Sequence, residues 1–279
     1  MVVPTRDRAD LLRGCAAGVL DRTDYRGLEL CIVDNGSTSP ETMRLLETLS
    51  RRPGVRVLRV DGPFDFPALN NAAAADSDAD VLVFLNDDTL VIEPDWLAPM
   101  VALAVRPDVG AVGAKLFYPD GRIQHAGVTL GLGALGVAGH GLRGAPGDLD
   151  GPQGLLKVER QVSAVTGACL AVGRDKFAAV GGFDPAFQVA FNDVDLCLRL
   201  GARGWKTVWT PHARMVHLES ASRGRDVSPE RAARLEREAA RMRERWGAAL
   251  LADPYYHPAL SLKGERFALG ETLRSAQAR

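Results

Sequence analysis

The sequence predicts an α/β fold, a mainly parallel sheet flanked by helices with a helical extension at its C-terminal end. Three observations carry this. Strand-like and helix-like segments alternate through the first 117 residues, the signature of βαβ units with right-handed crossovers. The strand-like segments are short apolar runs, as expected of strands buried on both faces. Each of the first four strands also ends in acidic residues, and ligands of open α/β sheets bind at the carboxyl ends of strands.

In order, residues 1–3 are a strand remnant that runs into Pro4-Thr5-Arg6-Asp7, and a helix follows over residues 8–20. Residues 28–33 form a strand ending in Asp34-Asn35-Gly36-Ser37, with a helix after Pro40. Residues 55–60 form a third strand, ending at Asp61-Gly62, and an alanine-rich helix covers residues 70–75. Residues 81–85, VLVFL, form a fourth strand that stops at Asn86-Asp87-Asp88. Pro94 opens a helix to about Val105, and residues 109–117 return as a strand. Read alone, Asn86-Asp87-Asp88-Thr89 is equally a solvated turn with Asp88 or Thr89 capping the next helix. Acids at four strand ends on one edge instead imply a crevice for a polar ligand. Carboxylates there suit a hard divalent cation, which in turn can hold nucleotide phosphates.

The second half reads differently. Residues 121–154 are rich in glycine and poor in periodicity, so loops and short strands are expected. A strand over residues 162–172, a helix over 193–202 and a strand over 206–209 follow. Ser228 caps a last helix with Pro229 at its first position. Leu235, Met242 and Trp246 share a stripe of it, and Glu230/Arg234 and Glu238/Arg241 read as intrahelical pairs. Its arginines are a solvated face, with contact with an anionic membrane surface as the second reading. The division is thus residues 1–225, in halves 1–117 and 118–225, and an extension over 226–279. Gly131-Leu132-Gly133-Ala134-Leu135-Gly136 has the GxGxxG spacing of a dinucleotide fingerprint, but the Gly- and Pro-rich continuation cannot form the helix that motif requires.

Composition excludes little. A formal net charge of −1 over 279 residues gives no bulk reason to bind nucleic acid. Cys15, Cys31, Cys169 and Cys197 are scattered without metal-ligand spacing, as expected of buried reduced thiols in a cytoplasmic protein. No segment reads as a signal peptide or a bilayer span. The chain opens on MVVPT, almost inside its first strand, as expected of a late start or of one module of a longer protein.

Two further clusters carry chemistry. In Phe191-Asn192-Asp193-Val194-Asp195, the helical spacing of Val194, Cys197, Leu198 and Gly201 puts the acids in the first turn of a helix. Capping accounts for Asn192 or Asp193, not for the whole cluster. A carboxylate at a helix tip facing a crevice can act as a general base. Alternation also places Met215 and His217 on one face just after a strand. A lone His is usually structural, yet His217 can ligate metal if its strand returns toward Asp88.

These residues and their order resemble family 2 glycosyltransferases of the GT-A fold, a Rossmann-like architecture, in particular bacterial enzymes of O-antigen and rhamnan-type polysaccharide assembly in the cell envelope. The matching stretches are PTRDR (4–8), VDNGS (33–37), LNNAA (69–73), FLNDDT (84–89), YPDGRIQHAG (118–127), SAVTGACL (163–170), GGFD (181–184), FNDVDLCLR (191–199), HLESASRG (217–224) and DPYYHPALS (253–261). The resemblance implies an inverting hexosyltransferase that moves a sugar from a nucleotide-diphosphate sugar to a hydroxyl of a glycan or lipid-linked glycan acceptor, at the inner face of the cell membrane. Pro4, Thr5, Asp7, Asp34, Asn70 and Asp87 would hold the nucleotide-sugar. Asp88 would close the family's Asp-x-Asp motif and, with His217, bind Mg²⁺ or Mn²⁺. Asp193 matches the catalytic base, with Gly167, Ala168 and Asn192 on the acceptor side. Two positions depart from the family pattern: Asn86 replaces the first Asp of Asp-x-Asp, and Asn192 replaces a Glu. The alternative is a non-catalytic nucleotide-sugar-binding module of a larger glycan-assembly protein, favoured if Asp193 were displaced or the crevice blocked. A nucleotidyltransferase would need a Gly-rich phosphate loop with its lysine near the first strand, and none is present.

Overall fold

The computed structural model describes residues 1–219, 228–264 and 266–274. Four parallel strands, β1 (Val2–Thr5), β2 (Leu30–Asp34), β3 (Val55–Arg59) and β4 (Val81–Leu85), stand in the order β4-β1-β2-β3. Helices α1 (Ala9–Ala17), continued by a π-helical turn at Gly18–Arg22, α2 (Pro40–Ser50) and α3 (Phe66–Ala75) connect them. Beyond β4 come β5 (Thr89–Val91), α4 (Leu97–Ala104), β6 (Val109–Phe117) and three short strands, β7 (Ile123–His125), β8 (Val128–Leu130) and β9 (Ala138–His140). After β10 (Arg160–Gln161) follow β11 (Cys169–Gly173), α5 (Arg174–Ala179), α6 (Asn192–Ala202), β12 (Lys206–His217) and α7 (Pro229–Leu251).

The period-two alternation of the strands sorts their side chains into two cores. On β4, Leu82 and Phe84 join one cluster, Val83 and Leu85 the other. The first cluster is covered by α3, α5, α6 and α7, through Leu69, Phe177, Cys197 and Met242. The second is covered by α1, α2 and α4, through Leu12, Leu46 and Met100. The result is a three-layer α/β/α molecule. The four cysteines are buried free thiols.

Several elements depart from the expectation. The run 162–172 becomes a strand only at β11, which pairs antiparallel with both β4 and β6, so the sheet is mixed at that point. β6 and β12 run parallel again. β12 is eight residues longer than the predicted strand 206–209, because Pro211 falls at an irregularity between Trp209 and Arg214 instead of ending it. α3 starts at Phe66 rather than Asn70: Pro67 sits in its first turn, where a missing N–H costs nothing, and Asp65 accepts from Ala68 N at 2.8 Å. The buried face of α6 runs through Val194, Cys197 and Leu200, with Leu198 partly buried and Gly201 exposed. The Gly131–Gly136 segment joins antiparallel β8 and β9 and opens no helix.

Candidate active site

The carboxyl ends of β1 and β4 converge with the loops before β11 and α6 on a crevice made of two adjoining cavities. The larger, about 520 Å³, is lined by Asn86, Asp88, Gly167, Ala168, Asn192, Asp193 and His217 among others. The second, about 430 Å³, is lined by Pro4, Thr5, Arg6, Asp87, Arg231 and Arg234 among others. Phe66, Asn86 and Val189 belong to both walls.

The elements hardest to see in the sequence assemble this site. β5 pairs antiparallel with the end of β12 in the register Thr89↔His217, and Leu218 N donates to Asp88 O at 2.9 Å. That pairing brings His217 Nε2 to 3.1 Å from Asp88 Oδ1. The contact is off the line of a hydrogen bond, and Asp88 Oδ1 and His217 Nδ1 have no hydrogen-bond partner although both are buried. Asn86 Nδ2 lies 3.5 Å from His217 Nε2. Among the described residues no third Asp, Glu, His or Cys completes a metal cage. Two protein ligands with an unsatisfied oxygen fit a hard cation that keeps waters and takes its other ligands from substrate phosphates.

Antiparallel β11 likewise places Gly167 and Ala168 beside the end of β4, where Asn86 N donates to Ala168 O at 3.1 Å. Gly167 N then donates to Asp193 Oδ2 at 2.8 Å, and Val194 N donates to Asp193 Oδ1 at 2.8 Å. A Cβ on Gly167 would stand 3.3 Å from the Phe66 ring and 3.5 Å from Asp193, so the three residues pack closely here. Burial pushes the Asp193 carboxyl above its ordinary value, and the two amides pull the other way. Its neighbours do different work. Asn192 Nδ2 donates to Val189 O at 3.0 Å and holds the loop that bounds both cavities. Asp195 is fully buried and accepts from Arg199 Nε at 2.7 Å, Arg245 Nη1 at 2.9 Å and Trp246 Nε1 at 2.9 Å.

In the second cavity Thr5 Oγ1 donates to the buried Asp87 Oδ2 at 2.7 Å. Three predicted ligands line neither cavity. Asp34 accepts from Ser37 N at 2.9 Å and pairs with Arg59 Nη1 at 2.9 Å. Asp7 accepts from Ser39 N and Thr38 N at 2.7 and 2.8 Å; the Ser39 amide leads the causes that hold its carboxyl below the usual range. Asn70 is buried on α3, donating to Phe66 O at 2.8 Å, with its Oδ1 unpartnered. Residues 220–224 of the HLESASRG stretch lie outside the described residues. Sequence reasoning passed over Phe66, Gln124, His140 and Arg143 in the larger cavity and Arg231 and Arg234 in the smaller. Only Gln124 had a signal, as part of YPDGRIQHAG.

A Rossmann-like, mostly parallel sheet flanked by helices, with an Asp/His pair and a half-buried carboxylate brought to one crevice, has the architecture of the GT-A fold. The family model "Glycosyl transferase family 2" matches residues 1–131. The uncharacterized protein y4gI of Sinorhizobium fredii is 50% identical over 96% of this chain and 30% of its own length. The O-antigen biosynthesis protein RfbC of Myxococcus xanthus is 43% identical over 94% of this chain and 20% of its own. The N-acetylglucosaminyl-diphospho-decaprenol L-rhamnosyltransferase of Mycobacterium tuberculosis is 31% identical over 75% of this chain and 72% of its own. Among solved structures, GalNAc-T7 with UDP, GalNAc and Mn²⁺ superposes with a TM-score of 0.66 at 19% identity, over 87% of this chain and 47% of that one. The mannosyltransferase PcManGT of Pyrobaculum calidifontis, with GDP-Man and Mn²⁺, does so with a TM-score of 0.56 at 18% identity, over 89% and 74%. The chain belongs to glycosyltransferase family 2. It spans 30% or less of the length of the y4gI and RfbC relatives.

Proposed function

We propose that the chain is an inverting, divalent-metal-dependent hexosyltransferase that moves a sugar from a nucleotide-diphosphate sugar to a hydroxyl of a glycan or lipid-linked glycan. One observation carries the reading: Asp88, His217 and Asp193 face the same cavity, the first two as an incomplete cation site, the third as a carboxylate pinned by two amides. The undisplaced Asp193 and open cavity favour catalysis over a purely binding module.

Asp88 and His217 would hold Mg²⁺ or Mn²⁺, which supplies Lewis-acid stabilisation to the departing diphosphate. Thr5 and Asp87, with Pro4 beside them, bind the nucleoside end of the donor in the adjoining cavity, and Arg231 and Arg234 offer cationic partners to its phosphates. Asp193 takes the proton from the acceptor hydroxyl as that oxygen attacks the anomeric carbon opposite the diphosphate. The new C–O bond forms as the old one breaks, which inverts the centre. The raised basicity of this desolvated carboxylate suits the role. Asp7 and Asp34 hold the loops around the nucleotide, and Asn70 stands on α3 behind them with its Oδ1 unpartnered.

The test is Asp193→Asn. Transfer from a panel of nucleotide-sugars is expected to fall at least a hundredfold, the usual worth of a general base, with donor affinity kept within a few-fold. Full turnover in this variant would overturn the assignment.

A further inference from the structure

Behind the acceptor wall of the larger cavity lies a pair of imidazoles that the reaction above does not use. His125, fully buried on β7, and His140 on β9 approach through Nδ1 and Nδ1 at 2.8 Å. His125 Nε2 accepts the amides of Gly127 at 3.3 Å and Thr166 at 3.5 Å, so it carries no proton. The single proton of a neutral His125 is therefore on Nδ1 and is donated to His140. His140 Nδ1 must then be the acceptor, which places its own proton on Nε2. A proton on both facing nitrogens is excluded by their separation. His140 lines the cavity that holds Asp193.

We infer that His140 is a neutral hydrogen-bond donor, locked in the Nε2–H tautomer by His125, that orients an uncharged hydroxyl or ring oxygen of the acceptor sugar for attack. The inference rests on the transferase reading for the name of the ligand, not for the tautomer. Two observations support the ligand class. Gln124, 4% exposed, lines the same cavity and carries an Oε1 that has no partner, so a donor-bearing and an acceptor-bearing side chain border one space, as sugar hydroxyls require. Consecutive amides serve both parts of the site: Thr166 N holds His125 and Gly167 N holds Asp193. The donor to the acceptor sugar and the base that deprotonates it are thus indexed to one another by adjacent peptide units. Burial lowers both imidazoles, His140 to about 4, so the pair stays neutral near pH 7. A neutral donor favours a hydroxyl over a phosphate.

The full chain labelled with ¹⁵N-histidine tests this. Long-range ¹H–¹⁵N spectra, assigned with His125→Asn and His140→Asn, are expected to show His125 as the Nδ1–H and His140 as the Nε2–H tautomer. The opposite or an averaged tautomer for His140 overturns the proposal. Octyl glycosides of N-acetylglucosamine and rhamnose are then the probe acceptors. His140→Ala is expected to raise acceptor KM about tenfold, the worth of one neutral hydrogen bond, and donor KM by clearly less. His140→Gln, which keeps an N–H, is expected to recover part of the loss. An unchanged acceptor KM, or an equal change in donor KM, overturns the role. If the wild-type chain neither hydrolyses nor transfers any nucleotide-sugar, the transferase reading fails on its own. Glycoside binding is still read from the His140 Nε2–H resonance: a shift keeps the subsite and silence removes it.

Discussion

Carboxylates along one edge of this sheet have different fates, and their partners explain why. Asp34 is neutralised by Arg59 and a loop amide, whereas Asp88 faces an imidazole and keeps a buried oxygen unpartnered. Spacing marked both residues, but their partners come from β3 and β12, which spacing does not reveal. Asp88→Ala and His217→Ala are each expected to abolish the rise in Tm that Mn²⁺ adds to nucleoside-diphosphate binding, read by thermal shift. A surviving Mn²⁺ effect in both would remove the cation site. Asp193 gives a pH prediction. Its folded pKa lies above the unfolded value of about 4, so the folded state binds more protons across the window between the two. Stability therefore falls as pH rises through that window. Tm measured against pH should show wild type losing ground to Asp193→Asn from about pH 4 upward. Parallel curves would contradict it.

At the scale of elements, α7 is tied to the loop that bounds both cavities. Glu238 accepts from Val189 N at 3.3 Å and Ala190 N at 2.7 Å, and Arg241 donates to Ala186 O at 2.8 Å, so the expected Glu238/Arg241 pair gives way to two contacts with the loop before α6. Charge patterning makes a helix look solvated and cannot show that its glutamate faces backbone. Asp195 was read as one acid of a cluster, yet it ties α6 to α7 through Arg245 and Trp246. Removing it takes a carboxylate from two guanidinium groups, one 19% and the other 39% exposed, although Arg245 keeps Asp184 at 2.7 Å and Arg199 keeps Val180 O at 2.6 Å. Asp195→Ala is expected to cost about 2–4 kcal/mol in urea unfolding, below the worst case for a buried charge because both arginines reach water. Trp246→Phe, which deletes one donor, should cost about 1–2 kcal/mol. A loss under 0.5 kcal/mol for Asp195→Ala would mean α7 is held by its apolar face alone.

Across the whole molecule, the strands with unbroken apolar runs were legible: β4 and β6 fall where the sequence puts them. The antiparallel insertion of β11 was not, because a strand buried on both faces has the same composition in either direction. Nor was β5, three residues long, whose pairing with β12 creates the Asp88–His217 contact. The site is therefore made by topology more than by motif. Its two cavities meet at Phe66, which packs edge-on against Phe183 at 5.3 Å and starts α3, with Phe66 N bonded to Gln188 O. The two cavities thus share one aromatic wall that is also part of the core. Truncating it should act on both. Phe66→Ala is expected to cost about 3–5 kcal/mol as a core deletion and to weaken nucleotide binding as well. Phe66→Leu, which keeps most of the volume, should cost less than about 1.5 kcal/mol. If the wall matters to the site beyond stability, Phe66→Leu will still raise donor and acceptor KM together while Tm hardly moves. If it raises only one of the two, the cavities are independent and the shared wall has no functional consequence.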